Sequence, residues 1–446
     1  MEGCRMNGLI GVQNSKANRI GKSSLFSSFG ESAGFFLIAV MFIVGTLVAI
    51  GFNLPVKGIM ANYSYDVLVI LIVMELFTNL IAETGIMQLI AIKIAEKSKG
   101  QKRMCLMLFG GMMFLISSCL NNITAVMMIL PIVFVLLKTL EVDRKYVCTF
   151  FAVILALSNT GGAASPVGDF PAIVIMTSGI TSFLSYLTHA FPLFAMTSLI
   201  LLVLWGISVK KEKDDGAIRE LAIANLKSQY KNMRIRYDVL VCLGIVFLGM
   251  FLAWSIIPQS IIPPEIIAVL GYVVAMVICS LKKIRVHQGM EFKSVLTIAS
   301  YLFFAEVVSE SGLLRILAEY LQDNISSPKL LVMAIMFITS IIAGIFSAGP
   351  AAAAMMPIIV ELCNGPLNAQ SDWIAVAYAA SICAGSSLFM WSATAGFILS
   401  GKVNKAGIVD GGEQKITWGI REYLKYGIVN YVVQITIAMV AIELVL

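Results

Sequence analysis

Charge is what this 446-residue sequence has least of: Asp, Glu, Lys and Arg together make up 13%, against 59% hydrophobic residues. A soluble domain carries about 25% charged and about 45–50% apolar residues. With half that charge there is too little polar surface to coat a soluble particle, so the chain reads as an integral membrane protein. No polar stretch reaches the roughly 50 residues of a soluble catalytic domain, and we expect no enzyme here. Histidine is nearly missing; His189 and His287, far apart in the chain, make a zinc site an unsuitable reading. The eight cysteines (Cys4, Cys105, Cys119, Cys148, Cys242, Cys279, Cys363 and Cys383) are scattered and form no CxxC pair. They read as apolar packing residues rather than metal or redox ligands. Basic residues form no stripe with interleaved aromatics, so nothing points to nucleic acid.

What is there is a series of apolar runs, interrupted in particular places. Residues 1–32 form a polar tail with Arg5, Lys16, Arg19 and Lys22. The run from Phe35 to Leu54 is longer than the roughly 7–15 residues of a secretory core, so 33–60 reads as a retained first transmembrane helix. Further spans lie near Val67–Ile81, Val147–Leu157, Ala190–Val209, Val239–Trp254, Ile266–Leu281, Val295–Val308, Ile374–Cys383 and Tyr426–Leu446. Several fall short of the roughly 20 residues that a straight crossing needs. Residues 105–137 and 330–363 read as re-entrant hairpins. Their polar apices are Leu120-Asn121-Asn122-Ile123-Thr124 and Ser347-Ala348-Gly349-Pro350, with Pro131 and Pro357 in the return arms. Arms of about 15 residues are short for crossing, and an apex in the membrane must be buried in protein or line a watery cavity. Two ordinary helices joined by a tight loop remain the alternative.

Orientation follows from counting. With a cytoplasmic N-terminus and both hairpins re-entrant, 29 of the 32 Lys and Arg fall in cytoplasmic segments, the basic linker 210–236 among them. Only Lys57, Arg315 and Lys329 fall outside, as the positive-inside rule asks. The same arrangement exposes a repeat with an offset of 226–227 positions. Glu83-Thr84-Gly85 is echoed by Glu310-Ser311-Gly312, and in each half a hairpin apex follows and then a Met-Met return, Met127 to Pro131 and Met355 to Pro357. Ser158-Asn159-Thr160-Gly161-Gly162 is echoed by Ala384-Gly385-Ser386-Ser387. The expected fold is an all-α polytopic membrane protein of two inverted-topology repeats, one within 61–209 and one within 237–446. Each has a re-entrant hairpin and a discontinuous helix (147–176 and 373–400), the first hairpin opening to the cytoplasm and the second outside. Such repeats point to alternating-access transport.

The richest interruption is Ser158 to Pro171, where three glycines and two prolines are expected to stop the helix. Freed carbonyls with Asn and Thr oxygens suit Na+, and freed N–H groups suit an anion. The cation-binding candidates are Asn121, Asn122, Thr124, Ser158, Asn159, Thr160, Gly161 and Asp169. Asp169 is the one carboxylate in that break; it could carry a proton, ligate a cation, or cap the half-helix beginning near Pro171. Glu83 and Glu310 occupy equivalent span ends and read as structural. The second repeat offers Ser347, Gly349, Pro350, Ser386, Ser387, Ser392 and Thr394 as substrate or cation ligands. Its counterpart of Asp169 falls on Ala395 or Gly396, so the two sites differ electrostatically.

These residues resemble the ion transporter superfamily, which includes NhaD-type Na+/H+ antiporters, arsenite permeases, citrate-type permeases and divalent-anion/sodium symporters. The likeness runs from Val67 to Leu446. The tip Leu120-Asn121-Asn122-Ile123-Thr124 is similar to the Asp-Asn-x-Thr tip of the NhaD and arsenite-permease branch. Gly161-Gly162-Ala163-Ala164-Ser165-Pro166-Val167-Gly168-Asp169 is similar to that branch's Gly-Gly-x-x-(Ser/Thr)-Pro-Ile-Gly-Asp. The chain departs from it with Asn121 and Gly349-Pro350 at the tips, and with Phe170-Pro171-Ala172 after Asp169. The resemblance implies two hairpins, with a scaffold and a mobile transport unit per protomer, in a family whose members often form homodimers.

The expected activity is secondary active transport of a small inorganic or organic anion in a bacterial inner membrane, coupled to Na+ by preference with H+ as the alternative coupling ion, and with no other cofactor. An NhaD-like Na+/H+ antiporter is the alternative, since Asp169 and its flanking motif favour it while the missing tip aspartates oppose it. A channel or a membrane enzyme using Asp169 is more remote. In proteoliposomes, Asp169→Asn is expected to abolish coupled transport. Asn122→Ala and Asn159→Ala should raise the half-saturating Na+ concentration, and Ser387→Ala should do less.

Overall fold

The computed structural model describes residues 38–446 except 62, 141, 210–215, 232, 285–291, 366, 394, 411–413 and 446. The polar tail 1–32 and the start of the first span therefore lie outside the described residues. These residues fold almost entirely as helix, with an isolated bridge between Val409 and Lys415 and no strand among them. In chain order the first eight helices are α1 (Ile38–Gly51), α2 (Val56–Ala61), α3 (Tyr65–Ala82), α4 (Ile86–Lys97), α5 (Lys102–Ser117), α6 (Asn122–Thr139), α7 (Arg144–Ala163) and α8 (Phe170–Thr177). Then come α9 (Phe183–Ser208), α10 (Gly216–Gln229), α11 (Tyr237–Ile256) and α12 (Pro264–Leu281). The last seven are α13 (Phe292–Glu310), α14 (Leu313–Asn324), α15 (Pro328–Phe346), α16 (Ala348–Asn364), α17 (Ser371–Ser386), α18 (Gly396–Ala406) and α19 (Ile420–Val445). Eight of them, α3, α6, α7, α9, α11, α12, α15 and α19, are long and apolar enough to cross a membrane. This is an all-α polytopic membrane fold.

One order of elements occurs twice, in α3–α8 and in α13–α18: a long helix, a short one, a hairpin, a helix, a break and a short helix. The short helices α4 and α14 both start from a left-handed glycine, Gly85 at φ 77° and Gly312 at φ 74°. An L side chain would be strained there, which explains why each Glu-x-Gly tripeptide ends in glycine. The hairpin arms run 16, 18, 19 and 17 residues, longer than the apolar runs suggested. Their helices absorb flanking residues such as Lys102, Arg103 and Lys138, which are good helix formers.

The last helix, α19, indexes the two ends of the molecule. Near its start Glu422 pairs with Arg144 at 3.0 Å, and near its finish Glu443 pairs with Lys329 at 3.0 Å. In the first turn of α7, Tyr146 donates to the Lys102 carbonyl at 2.7 Å. The α5–α6 hairpin thus opens at the Glu422 end, and the α15–α16 hairpin, which begins at Lys329, opens at the Glu443 end. Within the basic linker 210–236 the structure places a helix, α10. Ala222 and Leu226 are buried, and Lys227 pairs with Glu96 of α4 at 3.2 Å. With only two buried apolar residues, that helix carries too weak a pattern to read from sequence.

The core centres on α7, where every residue from Tyr146 to Ala163 is buried. Glycine lets its neighbours come close. A Cβ at Gly161 would overlap the Phe114 carbonyl of α5, and one at Gly385 of α17 would overlap the Ser340 carbonyl of α15. Small residues at such crossings let helix backbones approach in a membrane. A backbone carbonyl cannot swing aside, so Gly161→Ala and Gly385→Ala should each cost about 1–3 kcal/mol. That would lower the melting temperature of the detergent-purified protein by several degrees. Gly111→Ala in α5, where a Cβ meets nothing within 4 Å, should leave it unchanged or slightly raised.

Candidate functional site

The first break is shorter than the sequence suggested. Helix α7 continues through Ser158, Asn159, Thr160, Gly161 and Gly162, and the chain leaves helix only over 164–169. Each helical glycine costs about 1 kcal/mol relative to alanine, and the close α5–α7 crossing offsets it. Ser158 and Thr160 consequently turn their hydroxyls back onto their own helix, to the carbonyls of Leu155 at 2.9 Å and Ala156 at 2.8 Å.

At the far side of the break, Asp169 caps α8. Its Oδ1 accepts the Phe170 N–H at 2.8 Å, and its Oδ2 accepts from Asn122 Nδ2 at 2.9 Å. The hairpin tip, the end of α7 and the start of α8 meet at this pair. Glycine is needed at 162, where a Cβ would stand 2.8 Å from both amide atoms of Asn122 and from the Asp169 Cβ. Asn122 Oδ1 and Ser117 Oγ are buried with no partner among the described residues. Asn121, by contrast, is committed to the helix start: its Oδ1 accepts from Ile123 N at 2.9 Å and Thr124 N at 3.4 Å. Thr124 lies half-buried in that first turn.

The second break repeats the plan with different side chains. Helix α17 runs through Gly385 to Ser386, whose hydroxyl donates to the Cys383 carbonyl at 3.3 Å. Ser347, at φ 90° between α15 and α16, donates to the Ser392 carbonyl at 2.9 Å. The Ser392 hydroxyl itself closes the break onto Phe389 and Ser386. The equivalent residue 227 positions earlier, Ser165, donates to the Ser118 carbonyl. In each repeat, therefore, one serine of the break is tied to the hairpin. Ser165 did not stand out in the sequence, although it shares its offset with Ser392. Gly349 admits the Tyr301 ring against its backbone, and Pro350 is buried in the first turn of α16. Thr394 lies outside the described residues.

The two repeats touch directly. Asn159 Nδ2 donates to Ser387 Oγ at 3.2 Å, and the Ser387 carbonyl accepts from Tyr423 of α19 at 2.7 Å. The structure thus joins Asn122 to Asp169 and Asn159 to Ser387 as two pairs, where the sequence suggested one group of Asn122, Asn159 and Asp169. Beside the second pair, Gln434 Nε2 donates to Thr160 Oγ1 at 3.2 Å and to Asn430 Oδ1 at 2.8 Å. These α19 amides were missed, although two amides one helical turn apart in an apolar final span are a readable signal. The resulting ligand atoms are hard, mostly neutral oxygens with one carboxylate, which suit a hard cation better than a soft metal.

The sequence profile of the citrate transporter family matches residues 22–382. An uncharacterized transporter of Mycobacterium bovis is 26% identical over 353 residues, covering 77% of this chain and 79% of its own. The magnetosome protein MamN of Magnetospirillum gryphiswaldense is 22% identical over 405 residues, covering 87% and 88%. The solved structure of Neisseria gonorrhoeae MtrF, from a class of antimetabolite efflux pumps, aligns with a TM-score of 0.49 at 12% identity. That alignment covers 93% of this chain and 94% of the other.

Since Ser387 is the acceptor for the Asn159 amide, its loss should matter as much as loss of the amide. The sequence alone ranks Ser387→Ala below Asn159→Ala; the hydrogen bond between them corrects that, and the two substitutions should impair transport to the same degree. The double variant should be no worse than either single one, as a double-mutant cycle would read for coupled partners.

Proposed function

We propose that this chain, which belongs to the citrate transporter family of membrane transporters, is a cation-coupled secondary active transporter of a small anion. The coupling ion is Na+, and the anion is an organic one bearing carboxylates, with citrate the first candidate from the family's description. The reading rests chiefly on the Asp169–Asn122 pair. A buried carboxylate at a helix break is costly unless its charge is balanced, and its amide partner already carries an unpartnered oxygen. A bound Na+ would balance Asp169 and use the free Asn122 oxygen.

The second break complements the first. Helix α18 begins after Ala395 with no side-chain cap and no acidic residue in its first turn, so its N-terminus suits an anion. Cation and anion are thereby assigned to different repeats. Hairpins that open toward opposite ends of α19, linked through Asn159 and Ser387, support inverted repeats working by alternating access. The basic segments then face the cytoplasm of a bacterial cell, by the positive-inside rule. A Na+/H+ antiporter is the second reading, favoured by Asp169 as the single carboxylate at the break.

Proteoliposomes decide between them. An inward Na+ gradient should drive uptake of labelled citrate or another anion, and Asp169→Asn should reduce that uptake to background. A Na+-driven change of lumenal pH with no anion added would replace this reading by the antiporter. Currents that exceed transporter turnover and need no gradient of coupling ion would replace it by a channel.

A further inference from the structure

We infer that the indole of Trp391 is the floor of the anion site in the second repeat, and that the anion it takes is a carboxylate with a flat, conjugated body. The inference rests on the anion-transport reading above and narrows its substrate from carboxylates in general to aromatic carboxylates.

The second break lies at membrane depth. Its Leu388 carbonyl sits against Gly427, about a third of the way along the 26 residues of α19. Backbone that leaves the helix at such a depth must be covered by protein or line a watery cavity, because hydrocarbon offers it no hydrogen bonds. Most of this break is covered: Met390, Ser392, Ala393 and Ala395 are buried. Trp391, in their midst, is 37% exposed. Its indole N–H makes no hydrogen bond among the described residues, and an unpaired donor of that kind is costly in hydrocarbon. The open side of the break is therefore a watery one, and Trp391 stands at it.

The ring is also held ready for stacking. It lies on Phe389 with centroids 4.2 Å apart and planes within 7° of parallel. The short loop carrying both rings is fixed, since the Phe389 N–H donates to Ser392 Oγ at 3.3 Å and the Ser392 carbonyl receives Ser347 of the hairpin tip. The start of α18 is beside it: the Met390 carbonyl lies against Gly396, where a Cβ would overlap it. A ligand ring laid on the indole extends the stack, and its carboxylate then meets the positive helix start. Citrate, built on tetrahedral carbons, has no flat body to lay there. Nor are the rings needed to close the break. At the same offset of 227 positions the first repeat has Gly162 and Ala164, and it closes its own break without an aromatic pair. Side chains held in place before binding lose little freedom when the ligand arrives.

The test has two arms, both on the full-length protein. In detergent with NaCl held constant, melting is titrated with phthalate (benzene-1,2-dicarboxylate) and with citrate. The wild type should half-saturate at a phthalate concentration well below that of citrate. Trp391→Leu should raise the phthalate value by on the order of tenfold, the scale of one lost ring stack, and leave the citrate value nearly unchanged, so that the preference disappears. Trp391→Phe keeps a flat ring and should keep the preference. In proteoliposomes, the tryptophan emission that Trp391→Phe removes should be quenched by acrylamide from the water and shielded from it by phthalate. Quenching by brominated acyl chains instead would put Trp391 against lipid and overturn the inference. A wild type stabilised by citrate without a preference for phthalate, or a preference that survives Trp391→Leu, would overturn it while the anion-transport reading stood. If Trp391→Leu did not yield folded protein, the quenching arm would decide alone. A wild type indifferent to both anions would remove the carboxylate reading, and this role of Trp391 with it.

Discussion

In a chain this poor in charge, the cost of a buried polar atom without a partner governs where the backbone can leave the helix. Both breaks obey it. At the first, Asp169 closes the start of α8 with one oxygen and reaches the hairpin tip with the other. At the second, Ser392 holds the loop together and receives Ser347 from the opposite tip. Hairpin tip and helix break are therefore a single unit in each repeat, because neither could be satisfied alone. The few polar atoms left without a partner then stand out against a background in which nearly every other group is used.

Close packing sets the second condition. Residues from Phe114 to Gly161 and from Ser340 to Gly385 bring backbone against backbone, where any side chain on the glycine would collide. Between helices in lipid there is no hydrophobic drive to association, so such close approach is where binding energy between helices comes from. It also explains why α7 stays helical through two glycines: their low propensity is outweighed by the crossing they permit. Propensity is a weak prior that tertiary contacts override.

The legible part of this molecule was its large-scale plan. Low charge, apolar runs and the 226–227 offset were enough for an all-α membrane fold with one order of elements used twice, and Gly85 and Gly312 show why the repeated tripeptides matter. The break itself was legible only as a location. Glycine and proline marked Ser158 to Pro171, but nothing local says that helix persists to Ala163, since that depends on the packing of Gly161 against Phe114 in another helix. Side-chain pairing was less legible still. Asn159 finds its partner in Ser387, 228 positions away, and Asn121 and Asn122, adjacent in sequence, part ways, one into a helix cap and the other to Asp169. Asn430 and Gln434 escaped notice because they lie in an apolar final span outside either repeat unit.

The asymmetry between the halves follows from this arrangement. A repeat that only doubled one site would present two carboxylates at similar places, and each would oppose the other's ionisation. Here the first break has Asp169 and the second has Ala395 and Gly396 in that place. The helix start at α8 is therefore neutralised by a side chain of its own protein, while the start at α18 keeps its partial positive charge for something else. A site that takes a cation and an anion together benefits from this division, because the two charges attract across the boundary between repeats rather than compete within one. The Asn159–Ser387 contact lies at that boundary and gives the two halves a direct polar link.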